Sequence, residues 1–123
     1  MQIQTRKSNS TWHTKRRSGI VLRKANTDSI KDFIEYAKSS GSQSAEKYYI
    51  SFTKMQTSAL FPGKTKEKNI RDKLDIHELS IIEVSDKIIS NLIQEGIRSR
   101  LPYKDIFKNV KVKINEFAKS IGV

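Results

Sequence analysis

The sequence predicts an all-α protein, a single small domain of four main helices with a flexible basic N-terminal arm. Apolar residues recur at helical spacing in four segments, whereas the alternation of a strand appears over no useful length. The 123 residues, 36% of them hydrophobic, are enough for one modest core. Residues 1–27 contain seven basic side chains and no acidic one. We therefore predict an arm over residues 1–24 and a helical domain over residues 25–123.

The arm is too polar to offset the entropy of ordering, so we expect it to be mobile when unbound. It carries most of the predicted nucleic-acid contacts, which are Arg6, Lys7, Trp12, Lys15, Arg16, Arg17, Arg23 and Lys24. Basic arms reach phosphates, and an indole can stack on a base. The same composition also suits a solvated tail, or contact with an acidic protein or an anionic membrane.

The first helix is predicted over residues 28–40, with Asn26 or Thr27 as N-cap and Gly41 just after its end. Its apolar face consists of Ile30, Phe33, Ile34 and Ala37. The second helix is predicted over residues 45–61, with Ser44 as N-cap and a face rich in aromatic residues. Tyr48 and Tyr49 are adjacent and cannot both face inward, so one of them is a candidate for an exposed contact.

A charged connection over residues 62–74 leads to the third helix, predicted over residues 76–100. Asp75 and Glu78 form a capping-box pattern at its start. Its apolar residues cover more than one stripe, which favours a central position in the domain. Gly96 in its interior indicates either a close helix crossing or a break.

The fourth helix is predicted over residues 103–121, with Pro102 at its first position and Gly122 after its end. Its inward stripe is the most regular in the chain. On one flank it carries Lys104, Lys108 and Lys111, with Asn115 and Lys119 beyond. Such a ridge can lie along phosphates, although it also suits the solvated side of an amphipathic helix. Lysine in place of arginine argues against bidentate reading of guanine.

Chemistry-bearing motifs are missing from the sequence. It contains no cysteine, which excludes disulfides and thiolate metal sites. His77-Glu78 lacks the second histidine of a zinc-protease pattern, because position 81 is isoleucine. The five glycines form no phosphate-binding loop, and the carboxylates are scattered. We therefore predict no catalytic residue, no metal and no cofactor, and a non-enzymatic protein.

Several short strings resemble a helical region of phage- and prophage-encoded regulatory proteins of the antirepressor or Rha type. They are Ala45-Glu46-Lys47-Tyr48-Tyr49, Thr53-Lys54-Met55, Ala59-Leu60, Arg71-Asp72-Lys73-Leu74 and Tyr103-Lys104-Asp105-Ile106-Phe107-Lys108. The resemblance spans residues 25–122 and implies a bacterial or phage cytoplasmic protein linked to gene regulation or host takeover. Those proteins place a folded DNA-binding domain before this region. Here a basic arm precedes it, which weakens sequence-specific reading and favours an accessory or protein-binding role.

The net charge of +11 points to a polyanionic partner. We expect a small cytoplasmic regulator that binds the phosphate backbone of nucleic acid. The alternative is a protein-interaction module that inhibits a host nuclease, defence complex or repressor. No segment has the length of a membrane span or the apolar core of a secretory signal, so no membrane association is expected. The pattern leaves the oligomeric state open.

Overall fold

The computed structural model describes residues 10–64 and 70–123. Its helices are α1 (Ser10–Ser39), α2 (Tyr48–Leu60), α3 (Ile76–Arg98) and α4 (Tyr103–Ser120). Short 3-10 turns cover Ala45–Lys47, Pro62–Lys64 and Ile70–Lys73. Helix accounts for 86% of the described residues, and none of them lies in a strand. The predicted all-α domain of four main helices is confirmed.

Helix α1 begins at Ser10, so the predicted start near residue 28 is wrong. The predicted boundary between residues 24 and 25 lies inside this helix, and residues 10–24 form its N-terminal half. Trp12, Gly19, Asn26 and Phe33 are buried along one face at intervals of seven residues. A seven-residue repeat is the spacing of a packed helix seam. Glycine and asparagine occupy two of these four positions, which hides the seam from a search for apolar residues.

The core has two hydrophobic clusters separated by a buried polar layer. One cluster contains Ile30, Phe33, Ile34, Ala37, Ala45, Phe52, Ile89, Ile93, Ile106, Val110 and Ile114. The other contains Trp12, Leu60, Phe61, Leu74, Leu79, Ile82 and Ala118. Between them, α1, α2 and α3 contribute the buried polar residues Asn26, Gln56, Glu83, Ser85 and Asp86. The polar layer therefore lies where three helices meet.

Helix α3 is central, as predicted, because its contacts with α1 and with α4 are the two most extensive in the domain. Its capping box is present: the Glu78 amide donates to the Asp75 carboxylate, and the Asp75 amide donates to the Glu78 carboxylate. The helix continues through Gly96, where an added Cβ would lie 2.6 Å from Cγ1 of Ile106. Gly96 therefore permits a close crossing with α4 and marks no break.

Two helix starts refine the sequence predictions, and two helix ends agree with them. Ser44 makes no side-chain capping hydrogen bond, because a 3-10 turn intervenes before α2. Pro102 is the N-cap residue of α4 and precedes its first position. Gly41 and Gly122 have φ angles of 99° and 90°, as the predicted helix ends require.

Gly96→Ala is expected to lower the free energy of unfolding by about 1–2 kcal/mol, since the added methyl group overpacks the contact with Ile106. This loss must exceed the gain of about 1 kcal/mol in helix propensity that alanine provides. Urea denaturation followed by circular dichroism measures the change. Gly63→Ala is the control, because an added Cβ there meets no atom within 4 Å. Equal stabilities of the two variants would contradict the close crossing.

Candidate phosphate-binding surface

Three of the predicted phosphate-binding cations in residues 10–24 lie in ion pairs with acidic residues outside α1. Lys15 Nζ lies 2.8 Å from Glu83 Oε1, and Arg16 Nε lies 3.1 Å from Asp72 Oδ1. Arg23 Nη1 lies 3.9 Å from Asp86 Oδ1. These side chains attach α1 to the rest of the domain. Their charges are therefore partly neutralised within the molecule and are less available to a phosphate.

Two further basic residues of the predicted arm, Lys24 and Arg17, are exposed on α1. Lys24 is exposed and pairs with Asp28 one turn along α1, at 3.3 Å. Arg17 is exposed and donates a hydrogen bond to the hydroxyl of Thr14. Both side chains face solvent and can reach a phosphate from the surface of α1. The predictions for Arg6 and Lys7 lie outside the described residues.

Trp12 is not placed for base stacking. Its side chain is 7% exposed and belongs to the second hydrophobic cluster. Its indole Nε1 donates a hydrogen bond to the Leu74 carbonyl oxygen at 3.1 Å. His13 meets the indole edge-on, with ring centroids 5.2 Å apart. In this conformation Trp12 secures the N-terminal half of α1, and stacking on a base would require the indole to leave the second hydrophobic cluster.

The buried polar layer centres on the Asp86 carboxylate, which is 0% exposed. Arg71 binds both of its oxygens, at 2.7 and 2.8 Å. Gln56 and Asn26 donate to Oδ1 at 2.8 and 3.0 Å. With Arg23 nearby, two guanidinium groups surround one carboxylate. A carboxylate held in this way accepts hydrogen bonds on both oxygens and lies away from solvent, which suits a structural role.

Arg23 lies at the edge of this layer. Burial lowers the pKa of its guanidinium, and the nearby positive charge of Arg71 lowers it further, whereas Asp86 and Tyr49 oppose the change. The Tyr49 hydroxyl accepts a hydrogen bond from Arg23, whose guanidinium carbon lies 5.9 Å from the Tyr49 ring centroid. Tyr49 is therefore the exposed member of the tyrosine pair, and it covers Arg23 on the solvent side.

Helix α4 presents the basic surface that the sequence predicts. Lys104, Lys108 and Lys111 are all exposed, and Lys119 lies further along the same flank. None of these four lysines forms an ion pair with a carboxylate of the described residues. We call these four residues the lysine ridge. Because their charges are not neutralised by those neighbours, the ridge is the better candidate for phosphate contact.

The ridge borders the packed interface between α4 and α2. Phe107 packs against Phe52, with ring centroids 4.9 Å apart. Lys104 precedes Phe107 by three residues and Lys111 follows it by four, so both lie on the adjoining part of the helix surface. The aromatic contact fixes the orientation of α4 about its axis. It therefore holds the lysines on a fixed line along the domain.

Sequence reasoning missed two arginines beside the ridge. Arg98 and Arg100 are exposed at the turn that joins α3 to α4. Arg100 has a φ of 57°, the left-handed conformation that usually favours glycine. The signal available in the sequence was the run Arg98-Ser99-Arg100 directly before Pro102. These charges extend the basic surface around the start of α4.

Three further observations concern the kind of site. Among the residues described, no three histidine or carboxylate side chains are grouped to hold a metal ion. Within residues 10–64 and 70–123, no helix has both the length and the apolar character needed to cross a bilayer. No family model, no curated protein and no solved structure matches this chain.

Proposed function

We propose that the protein is a small, non-enzymatic regulator from a phage or another mobile element that binds nucleic acid through its phosphates. The lysine ridge of α4 is the main contact, with Arg17 of α1 as an additional cation; Lys24 is also exposed but shares its charge with Asp28. The observation that carries the proposal is the row of exposed lysines without ion pairs to described carboxylates. Phosphate contacts from lysine supply affinity without reading bases.

The charge distribution supports α4, in place of the predicted arm, as the principal site of phosphate contact. Three cations of α1 pair with carboxylates outside that helix: Lys15, Arg16 and Arg23. The exposed lysines Lys104, Lys108 and Lys111 have no such partner among the described residues. A phosphate that contacts the first group must compete with a carboxylate, but one that contacts the second displaces only water and counterions. The regulatory role rests on the resemblance of residues 25–122 to prophage regulators.

The triple substitution Lys104→Gln, Lys108→Gln and Lys111→Gln is expected to weaken binding to a labelled DNA duplex. It should also make the slope of log affinity against log salt shallower by about 3, because each lost phosphate contact contributes about 1. Fluorescence anisotropy at several salt concentrations measures both quantities. Circular dichroism confirms that the variant keeps its helix content.

A matched control distinguishes the effect of losing the ridge lysines from the effect of losing net charge. Lys31, Lys54 and Lys87 are exposed on α1, α2 and α3 and pair with no described carboxylate. Changing these three to glutamine removes the same charge from other faces. We expect a clearly smaller loss of affinity and of salt dependence. Equal effects of the two triple variants would reject the ridge, and unchanged binding in the ridge variant would reject the proposal.

A second candidate function, a protein-interaction module, is favoured by a different feature of α1. Ile20 and Val21 are adjacent and are 53% and 69% exposed, the latter being the largest exposure among the large hydrophobic residues described. Arg17 and Lys24 flank them on the same helix. Paired exposed aliphatic side chains beside cations suit contact with an acidic protein surface.

Capture from bacterial lysate, with and without nuclease treatment, separates the two functions. A partner that is retained after nuclease treatment, and lost on Ile20→Ser with Val21→Ser, supports the interaction module. Loss of all partners on nuclease treatment supports nucleic-acid binding.

A further inference from the structure

We infer that the nucleic acid bound by this surface is a double helix, held through its backbone without base stacking. The inference rests on the proposed function and concerns the class of ligand. Two properties of the described residues carry it: the regular line of the lysine ridge, and the enclosure of nearly every aromatic side chain.

The lysine ridge is a straight array of charges. At a rise of 1.5 Å per residue, Lys104 and Lys111 lie about 10 Å apart along α4, and Lys104 and Lys119 about 22 Å apart. The phosphates of a duplex are also regularly placed, at about 3.4 Å of axis per nucleotide of one strand. Since a strand winds once around the duplex in about ten nucleotides, a straight row of this length cannot follow one strand, but it can cross a groove about 6–12 Å wide and contact the phosphates on both sides. A flexible single strand presents no such fixed spacing.

The aromatic side chains are poorly placed to bind a single strand. Proteins that bind single strands without sequence preference usually stack bases on exposed aromatic side chains. All ten Trp, Tyr and Phe residues of the chain lie in the described parts, and Tyr49, at 39%, is the most exposed of them. Its ring already faces the guanidinium of Arg23. Trp12 is buried, and the aromatic residues of α4 are at least half-buried in the core.

The chemistry of the ridge also excludes base reading as its main contribution. A lysine ammonium is a point charge, and it lacks the planar pair of donors with which arginine recognises guanine. The arginines of the polar layer are held by Asp86 or lie against Tyr49. Backbone contact is therefore what the lysine ridge itself offers, and such contact is indifferent to sequence, whereas the exposed Arg98 and Arg100 lie on the turn before α4 and not on the ridge. Duplex DNA and duplex RNA share this backbone chemistry.

The test compares labelled duplex DNA, duplex RNA and single-stranded DNA of equal length on the full chain at physiological salt. We expect one or both duplexes to bind at least about tenfold more tightly than the single strand, a difference of about 1.4 kcal/mol. The comparison between the DNA duplex and the RNA duplex shows which backbone the protein prefers. The preference for the duplex should shrink in the Lys104, Lys108 and Lys111 triple variant and persist in the Lys31, Lys54 and Lys87 control.

Trp12 supplies a second readout, because it is the single tryptophan of the chain. Its fluorescence should be unchanged on duplex binding, since the indole stays buried. Single-strand binding that equals or exceeds duplex binding, or quenching of Trp12 by stacked bases, would overturn the inference and leave the proposed function standing. A chain that binds none of the three nucleic acids would overturn both.

Discussion

Replacing Asp86 with alanine is expected to lower the free energy of unfolding by about 3–5 kcal/mol, the usual cost of removing one partner of a buried ion pair. Arg71 would lose both carboxylate oxygens, which now accept its hydrogen bonds at 2.7 and 2.8 Å. Gln56 and Asn26 would each lose a buried acceptor. The remaining guanidinium groups of Arg71 and Arg23, whose side chains are only 13% and 20% exposed, would repel each other. The whole penalty of a buried, uncompensated charge therefore falls on the folded state.

Urea denaturation monitored by circular dichroism gives the change in unfolding free energy for this variant. Asp72→Ala is the matched control, since Asp72 also pairs with an arginine but its side chain is 61% exposed. Exposed ion pairs contribute at most about 1 kcal/mol. A loss for Asp86→Ala no greater than that of the control would show that the polar layer does not hold the helices together.

The cost of the polar layer raises the question of what it contributes. Hydrophobic residues in the same volume are often as stable as a buried ion pair, whereas a paired polar group can specify one register. Asn26 and Asp86 lie between two hydrophobic clusters on α1 and α3. Sliding one helix past the other by a turn would break the buried hydrogen bond between Asn26 and Asp86. The layer therefore penalises alternative registers that hydrophobic contact alone would tolerate.

The C-terminal half of the fold could be predicted from the sequence because its signals are local. The capping box at Asp75 and Glu78 and the inward stripe of α4 depend on residues only three or four positions apart. Glycine at the end of a helix is equally local, as Gly41 shows. Such patterns report on one helix and need no knowledge of its neighbours. The same reasoning placed the lysines of α4 on its solvent-exposed flank.

The N-terminal half of α1 could not be predicted in this way, because its stabilising partners are distant in the chain. Arg16 pairs with Asp72, and Lys15 with Glu83, more than fifty positions away. In sequence these cations form an acid-free run, which is typical of a polyanion-binding arm. Only the tertiary structure shows that the compensating carboxylates belong to α3 and to the turn before it. The sequence therefore misplaced the start of α1 and overestimated the phosphate-binding role of the arm for the same reason, because both depend on partners that are distant in the chain.

Gly19 shows the same limit at the level of one residue. An added Cβ there would lie 2.7 Å from Oε2 of the buried Glu83. In sequence Gly19 marks the end of a polar segment, which is typical of a boundary. In the structure it lies within α1 and leaves room for a carboxylate that pairs with Lys15. The need for glycine at this position arises from α3, so no pattern within α1 could reveal it.

Trp12→Ala is expected to lower the free energy of unfolding by about 3–5 kcal/mol where unfolding of the N-terminal half and of the core is cooperative. The substitution removes the largest side chain of the second hydrophobic cluster and the hydrogen bond to the Leu74 carbonyl. If residues 10–24 instead separate from the core alone, the loss is limited to the free energy that attaches this segment. In the first case protection falls throughout the domain, whereas in the second it falls only at the start of α1.

Hydrogen exchange measured residue by residue distinguishes these cases. We expect amides of residues 12–24 to lose protection in Trp12→Ala, while those of α3 beyond Ile89 keep most of theirs. Ile20→Ala is the control, because Ile20 is 53% exposed on the same segment and alanine favours helix. Unchanged protection over residues 12–24 in Trp12→Ala would contradict the anchoring role of the indole. Lost protection would instead show that the basic segment is attached chiefly by one side chain, because the residues that form the ion pairs of Lys15 and Arg16 are unchanged in this variant. Those cations would then become available to phosphates whenever Trp12 leaves its cluster.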